Sequence, residues 1–205
     1  MKHAIRVILV ALVLVVPASV FAQHDFAVWS KVDQSDVTVI PWYVYNGSSL
    51  LVDARYNFDQ QKTAGAFVGR AFEVRGVSVM PYAGALVGDY DGISTQINAF
   101  AGFDVYTVFV MNQYSRGIGE GHADFIYHWV DALWHPNPRL ALGIDGQVYK
   151  ESGIPLLVDV GPVVKILPAS YFYVKAWGTV DPKNSWDKKF FVGIGFLPDE
   201  WCLSF

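Results

Sequence analysis

At 205 residues the chain has the size of one domain, and with 53% hydrophobic but only 17% charged residues it is poorer in charge than an ordinary soluble domain. A net charge of −4 and no basic run argue against a nucleic-acid partner. The single Cys202 excludes an internal disulfide, and no apolar run after the N-terminus is long enough for a helical membrane span.

Residues 1–22 read as a signal peptide. Lys2, His3 and Arg6 form a basic start, Ile8 to Val16 an apolar core ended by Pro17, and Val20-Phe21-Ala22 a cleavage site. Cleavage after Ala22 leaves residues 23–205 as one domain beginning at Gln23. No Cys follows the site, so a lipoprotein is not indicated.

From Gln23 onward the chain alternates with a period of two and shows no helical insertion. Leu50, Val52, Ala54, Tyr56 and Phe58 alternate with Leu51, Asp53, Arg55 and Asn57; Ile93, Thr95, Ile97, Ala99 and Ala101 alternate with Ser94, Gln96, Asn98 and Phe100. Each such segment presents two different faces. Twelve strands are predicted, at about 25–32, 37–45, 50–58, 63–74, 77–88, 93–103, 105–114, 123–133, 139–149, 156–166, 171–180 and 189–197. Ten is the alternative if the first pair fails.

Connections of two kinds separate them. Asn46-Gly47-Ser48-Ser49 carries a type I′ hairpin signal. Arg75-Gly76, Asp104, His135 to Pro138 and Pro168 to Ser170 are equally compact. Asp59 to Lys62, Asp89 to Gly92, Ser115 to His122, Lys150 to Pro155 and Asp181 to Lys188 are longer or richer in Gly and charge. Short turns alternating with longer loops, segments of membrane-spanning length and an apolar surplus without a spanning helix all suit a transmembrane β-barrel. The fold class predicted is therefore all-β: a closed up-and-down antiparallel barrel. Aromatic residues near segment ends, among them Trp42, Tyr43, Tyr56, Tyr106, Tyr114, Trp129, Trp134, Tyr171 and Phe172, fit interfacial girdles.

The signal peptide, the alternating strands, the apolar segment Phe190 to Phe196 and the terminal Phe205 together resemble a Gram-negative outer-membrane β-barrel, in the general porin-like sense. The resemblance implies residence in the cell outer membrane, contact with its lipid and handling by the barrel-assembly machinery, with no cofactor. Phe205 is separated from the last strand by Pro198-Asp199-Glu200, a departure from the usual terminal signal. No functional residue carries over.

Function is less legible. Charges on a lipid face are costly, so alternation should turn Asp53, Arg55, Arg70, Asp124, Arg139, Asp145, Asp159, Lys165 and Lys175 to the lumen, with Gln96, Asn98 and Gln147 beside them; His128 is placed there too. Reflection about Ser152 sets Asp145 opposite Asp159 and Arg139 opposite Lys165, within about two residues. Reflection about the 59–62 turn sets Asp53 near Arg70. The expectation is an acidic cluster of Asp145 and Asp159 with Asp124 toward the outer rim, steadied by Lys175, with His128 near Asp145 and basic residues toward the periplasmic end. That supports a narrow porin-like channel or a structural barrel without enzymatic activity. A membrane-embedded lipid hydrolase, similar to outer-membrane phospholipase A, is the alternative, and a surface-binding or adhesion barrel is third. For the hydrolase, His122 and His128 lack a recognisable serine constellation, Ser115 being assigned to a loop. Glu120, His122 and Asp124 read as a solvated rim ahead of a metal site. Gly117 to Gly121 lacks the Lys and the strand–loop–helix setting of a phosphate loop.

Overall fold

The computed structural model describes residues 23–32, 37–46, 50–57, 62–119, 121–169, 172–181 and 187–196. The expected signal peptide, Gly47 to Ser49, Glu120, Cys202 and Phe205 lie outside them, as does most of the Asp181–Lys188 loop.

Thirteen strands follow one another in the described residues. They are β1 (Gln23–Val32), β2 (Val37–Asn46), β3 (Leu51–Asn57), β4 (Thr63–Gly69), β5 (Phe72–Val74), β6 (Val77–Val87), β7 (Gly92–Phe103), β8 (Tyr106–Gly117), β9 (Phe125–Asn137), β10 (Leu140–Glu151), β11 (Leu157–Ala169), β12 (Phe172–Asp181) and β13 (Asp187–Phe196). All belong to one antiparallel up-and-down sheet. Each strand pairs with its sequence neighbour except β4 and β5, which do not pair with each other; β1 pairs with β13, and β4 pairs with β6 as well as with β3. The N-terminal pair predicted from alternation is present as strands.

The predicted strand 63–74 is divided into β4 and β5. Both lie on β6 in one register, Gly69 opposite Tyr82 and Phe72 opposite Val79. That register sets Arg70 opposite Pro81. The Arg70 N–H donates to the Pro81 carbonyl at 3.2 Å, but Pro81 has no N–H to return, so the ladder lapses for two residues. The hairpin that follows turns on Arg75 (φ 53°) and Gly76 (φ 79°), the two left-handed residues of a type I′ turn.

The two faces of the sheet are opposite in character to those of a soluble β protein. Along β7, Ser94, Gln96 and Asn98 are buried while Ile93 and Ile97 are 55% and 51% exposed. Along β8, Thr107, Met111, Gln113 and Ser115 are buried and Tyr106 and Tyr114 exposed. The pattern extends round the sheet: Asp53, Asp145, Lys175 and Thr179 are buried, Ile144, Val160, Val164, Ile166 and Ile194 exposed. A period-two strand in water turns its apolar side inward; here the apolar side faces out, as it does when the surroundings are hydrocarbon. Tyr106 and Trp134, paired across β8 and β9, sit exposed at the short-turn ends of their strands. Trp129 corrects the girdle expectation. It is on the buried face, because it shares strand parity with Phe125.

Two apolar clusters fill parts of the buried face. One joins Leu51, Phe67, Met80, Tyr82, Leu86, Tyr90 and Phe125. The other joins Val163, Tyr173, Trp177 and Phe191.

Candidate functional site: polar networks on the buried face

Asp53, Arg55, Asp145, Asp159, Lys165 and Lys175 share the buried face, each in step with its alternating neighbours. They form two networks. In the first, Arg55 of β3 extends past β4, β6 and β7. Its Nη2 donates to Gln113 Oε1 on β8 at 2.9 Å and to Gln96 Oε1 on β7. Its guanidinium carbon lies 4.9 Å from the centre of the Phe67 ring. Gln96 Nε2 donates to Asp53 Oδ2 at 3.2 Å, and Gln113 Nε2 to Ser115 Oγ at 2.9 Å. Ser115 and Ser94 hydroxyls meet at 2.9 Å. Ser115 is therefore a buried strand residue, not a loop nucleophile.

In the second network, Lys175 of β12 reaches past β11 and β10 to Asp131 on β9, with its Nζ also 3.7 Å from Asp145 Oδ2. Trp129 Nε1 donates to Asp145 Oδ2 at 2.6 Å, and Gln147 Nε2 to Asp145 Oδ1 at 3.1 Å. Asp131, Gln96's partner Gln113, and the serine pair are the members that the sequence reading left out. A signal for Asp131 existed: reflection about Pro138 sets it opposite Asp145, which is where the β9–β10 register has it.

Several expected placements change. The β10–β11 hairpin is centred on Gly153, so Gln147 lies opposite Asp159 and Asp145 opposite Gly161. Ala141, not Arg139, faces Lys165. Arg139 is an exposed turn residue, its N–H donating to Asn137 Oδ1 at 2.9 Å; β9 ends at Asn137 and β10 begins at Leu140, so Pro138 and Arg139 are the turn and Arg139 joins neither strand. Arg70 lies exposed beside Phe72, 5.5 Å from that ring, while Asp53 faces Phe67. Lys175 faces Lys165 instead of lying diagonal to Asp159, and Lys165 turns its ammonium to the Tyr173 ring at 4.3 Å. Opposed like charges destabilise a strand pair unless each finds its own partner, which both lysines do here.

Asp124 closes the β8–β9 loop at the rim and does not line the interior. Its carboxylate accepts the Tyr114 hydroxyl at 2.7 Å and the Gly117 N–H at 3.1 Å. Nearby, His122 Nδ1 accepts the Asp91 N–H at 2.8 Å and its ring stacks on Tyr90. Burial first, and then the charges of Asp124 and Glu151, push the Tyr90 phenol up to about 12. His128 is the clearest correction: it lies on the exposed face with Ile126 and Val130, its Nδ1–H donating to Asn112 Oδ1 at 2.6 Å. Its even number puts it out of step with Trp129 and Asp131, so it does not approach Asp145.

Acidic groups outnumber basic ones on the described buried face: Asp53, Asp131, Asp145, Asp159 and Glu151 against Arg55, Lys165 and Lys175. The space they surround is tightly filled. Asp53, Gln96, Ser115 and Asp145 are each 0–1% exposed. Among the described residues no group of His, Cys, Asp and Glu is arranged to hold a metal ion.

No protein-family model matches the chain, and no curated protein matches it. Its fold is nevertheless that of solved outer-membrane porins. The NanC porin superposes with a TM-score of 0.65 at 7% identity, over 84% of this chain and 98% of the porin. The KdgM porin gives 0.63 at 8%, over 84% and 98%. An outer-membrane channel from Pseudomonas putida F1 gives 0.55 at 6%, over 88% and 97%.

Proposed function

We propose that the mature chain closes as a twelve-stranded barrel in the outer membrane and acts as a narrow porin-like channel with a charge-lined lumen. Closure is supported by the pairing of β1 with β13 and of β4 with β6, with β4 and β5 counted as one interrupted strand. The observation that carries the membrane reading is the inverted polarity, Gln96 and Asn98 buried beside exposed Ile93 and Ile97. A polar interior inside an apolar exterior has no use in water and is what a bilayer-spanning barrel needs. Outer-membrane lipid and, during biogenesis, the barrel-assembly machinery are the partners this reading implies.

Planar-bilayer recording of the purified protein tests it. Expected are heat-modifiable migration on a detergent gel, extraction only with detergent, and small discrete current steps. Recovery as a soluble periplasmic monomer would overturn the membrane reading; a folded barrel that never conducts would leave the structural-barrel reading. One observation favours that second reading, the near-complete burial of Asp53, Gln96 and Asp145.

The hydrolase alternative has His122 and His128 as its candidate bases; His122 is held at the rim against Asp91 and Tyr90, and His128 faces outward with its imidazole held by Asn112. An acyl-transfer site also needs a nucleophile beside the base. The cross-strand and same-face neighbours of His128 are Asn112, Val148, Ile126 and Val130, none of them a hydroxyl or thiol. Lipid hydrolysis that disappears in His128→Ala would restore this reading.

A further inference from the structure

Lys175 is held like a bound ligand. Its Nζ lies 4.8 Å from the ring centre of Trp129 and 4.7 Å from that of Trp177, beside the carboxylates of Asp131 and Asp145, and the residue is 4% exposed. Two indole faces attract an ammonium through their quadrupoles, most strongly when water is excluded. Two carboxylates flank the one ammonium.

Three of the four walls of this pocket are fixed by contacts that do not involve the lysine. Trp177 stacks on Phe191 with centroids 4.7 Å apart and planes 3° from parallel. Trp129 meets the edge of Phe109 at 5.9 Å. Asp145 is oriented by Trp129 Nε1 and Gln147 Nε2. Preorganised walls should outlast the occupant.

We infer that Trp129, Trp177, Asp131 and Asp145 form a binding site for small primary alkylammonium ions, with Lys175 as its tethered occupant. Lys175 plugs the site from the wall of the barrel, and a free organic cation competes for the same place. Its role in transport rests on the porin-like reading; the site itself does not.

The test removes the tether and supplies the missing piece. Lys175→Ala deletes three methylenes and the amine, so n-propylammonium is the probe and n-propanol its uncharged control. With the refolded full chain in detergent micelles, n-propylammonium should raise the thermal midpoint of Lys175→Ala saturably in the millimolar range. It should leave wild type unchanged, and the effect should vanish when Asp131→Asn and Asp145→Asn are added. In bilayers, Lys175→Ala should conduct several-fold more than wild type, and n-propylammonium should reduce that current.

No saturable effect on folded Lys175→Ala overturns the site, whatever its conductance. A saturable effect with neither protein conducting upholds the site and overturns the porin-like reading. If Lys175→Ala folds only with n-propylammonium and not with n-propanol, the site is upheld. If it folds with neither while Lys175→Met folds, the site is overturned.

Discussion

Tyr173 lies directly opposite Gly195 across the β12–β13 ladder, its ring occupying the place where a glycine Cβ would stand. The same joint recurs on β4 and β6. Tyr82 covers Gly69, with Cγ 2.8 Å from an added Cβ, and Phe67 covers Gly84, with Cδ1 at 2.6 Å; at these two the backbone carbonyls of Pro81 and Ala66 come closer still. In each case the absent side chain lets an aromatic ring lie flat along the buried face, which shields the glycine backbone and fixes the register.

Filling these joints should therefore destabilise the sheet without changing the fold. Gly195→Ala, Gly69→Ala and Gly84→Ala are each expected to cost about 1–3 kcal/mol, the range of an overpacked core. Gly146→Ala, where nothing lies within 4 Å of an added Cβ, is the control and should cost little. Urea unfolding followed by tryptophan emission measures the difference. Equal midpoints for Gly195→Ala and Gly146→Ala would show that the rings do not depend on the glycines.

The exposed face supplies the second expectation. Ile97 and Ile144 are 51% and 60% exposed in the middle of β7 and β10. If hydrocarbon covers them, Ile97→Lys and Ile144→Lys should each cost about 2–4 kcal/mol in bilayers, as lysine does at mid-membrane. An exposed isoleucine in water would tolerate lysine at almost no cost. Refolding into vesicles under urea separates the two, and neutral substitutions would contradict a lipid-facing surface.

How far the sequence could be read depended on parity. Strand number and face follow from a period of two, so an error of two residues in a cross-strand partner does no harm. Moving the centre from Ser152 to Gly153 changed the partner of Asp145 from Asp159 to Gly161 but left both aspartates on the buried face. An error of three is different. At the 59–62 turn it set Arg70 near Asp53, whereas Asp53 pairs with Phe67, three residues away, and Arg70 lies exposed. His128 and Trp129 were exchanged between faces for a related reason, a polar residue being taken as interior and an aromatic one as interfacial on composition, against their own parity. The clamps made by Arg55 and Lys175 were not legible. A side chain that reaches past two or three strands finds its partner through the curvature of the sheet, which local alternation does not encode.

The Lys175–Asp131 contact gives a third expectation. Removing one member of a buried ion pair leaves an uncompensated charge, a loss on the order of 3–5 kcal/mol. Lys175→Met should lose that much, leaving Asp131 and Asp145 facing each other across the β9–β10 ladder. Adding Asp131→Leu should recover part of it, since the Lys175–Asp131 pair is then apolar at both ends while Asp145 keeps its bonds from Trp129 and Gln147. A double-mutant cycle from urea midpoints reads the coupling. Strict additivity of the two substitutions would mean that the pair does not act as one unit.

Arg55 sets the fourth. Its guanidinium reaches from β3 to Gln96 and Gln113 and lies among groups that are almost wholly buried, so in an open channel it would stand at a constriction. The described buried face carries more acid than base, and Arg55 is one of three positive groups offsetting it. Replacing Arg55 by Met keeps the aliphatic stem against Phe67 but removes the charge and the hydrogen bonds to Gln96 and Gln113. Two effects should follow together. Conductance should rise because Gln96 and Gln113 are no longer drawn to the wall opposite them. The cation-over-anion permeability ratio should also rise, because a unit charge a few ångströms from a permeating ion acts with about 1–4 kcal/mol between the limits of bulk water and a protein surface. Arg55→Lys, which retains the charge but not the forked geometry, should keep the wild-type ratio while loosening the network. Reversal potentials in a salt gradient separate charge from geometry. If Arg55→Met and Arg55→Lys share one reversal potential, the guanidinium braces the barrel wall and does not select ions.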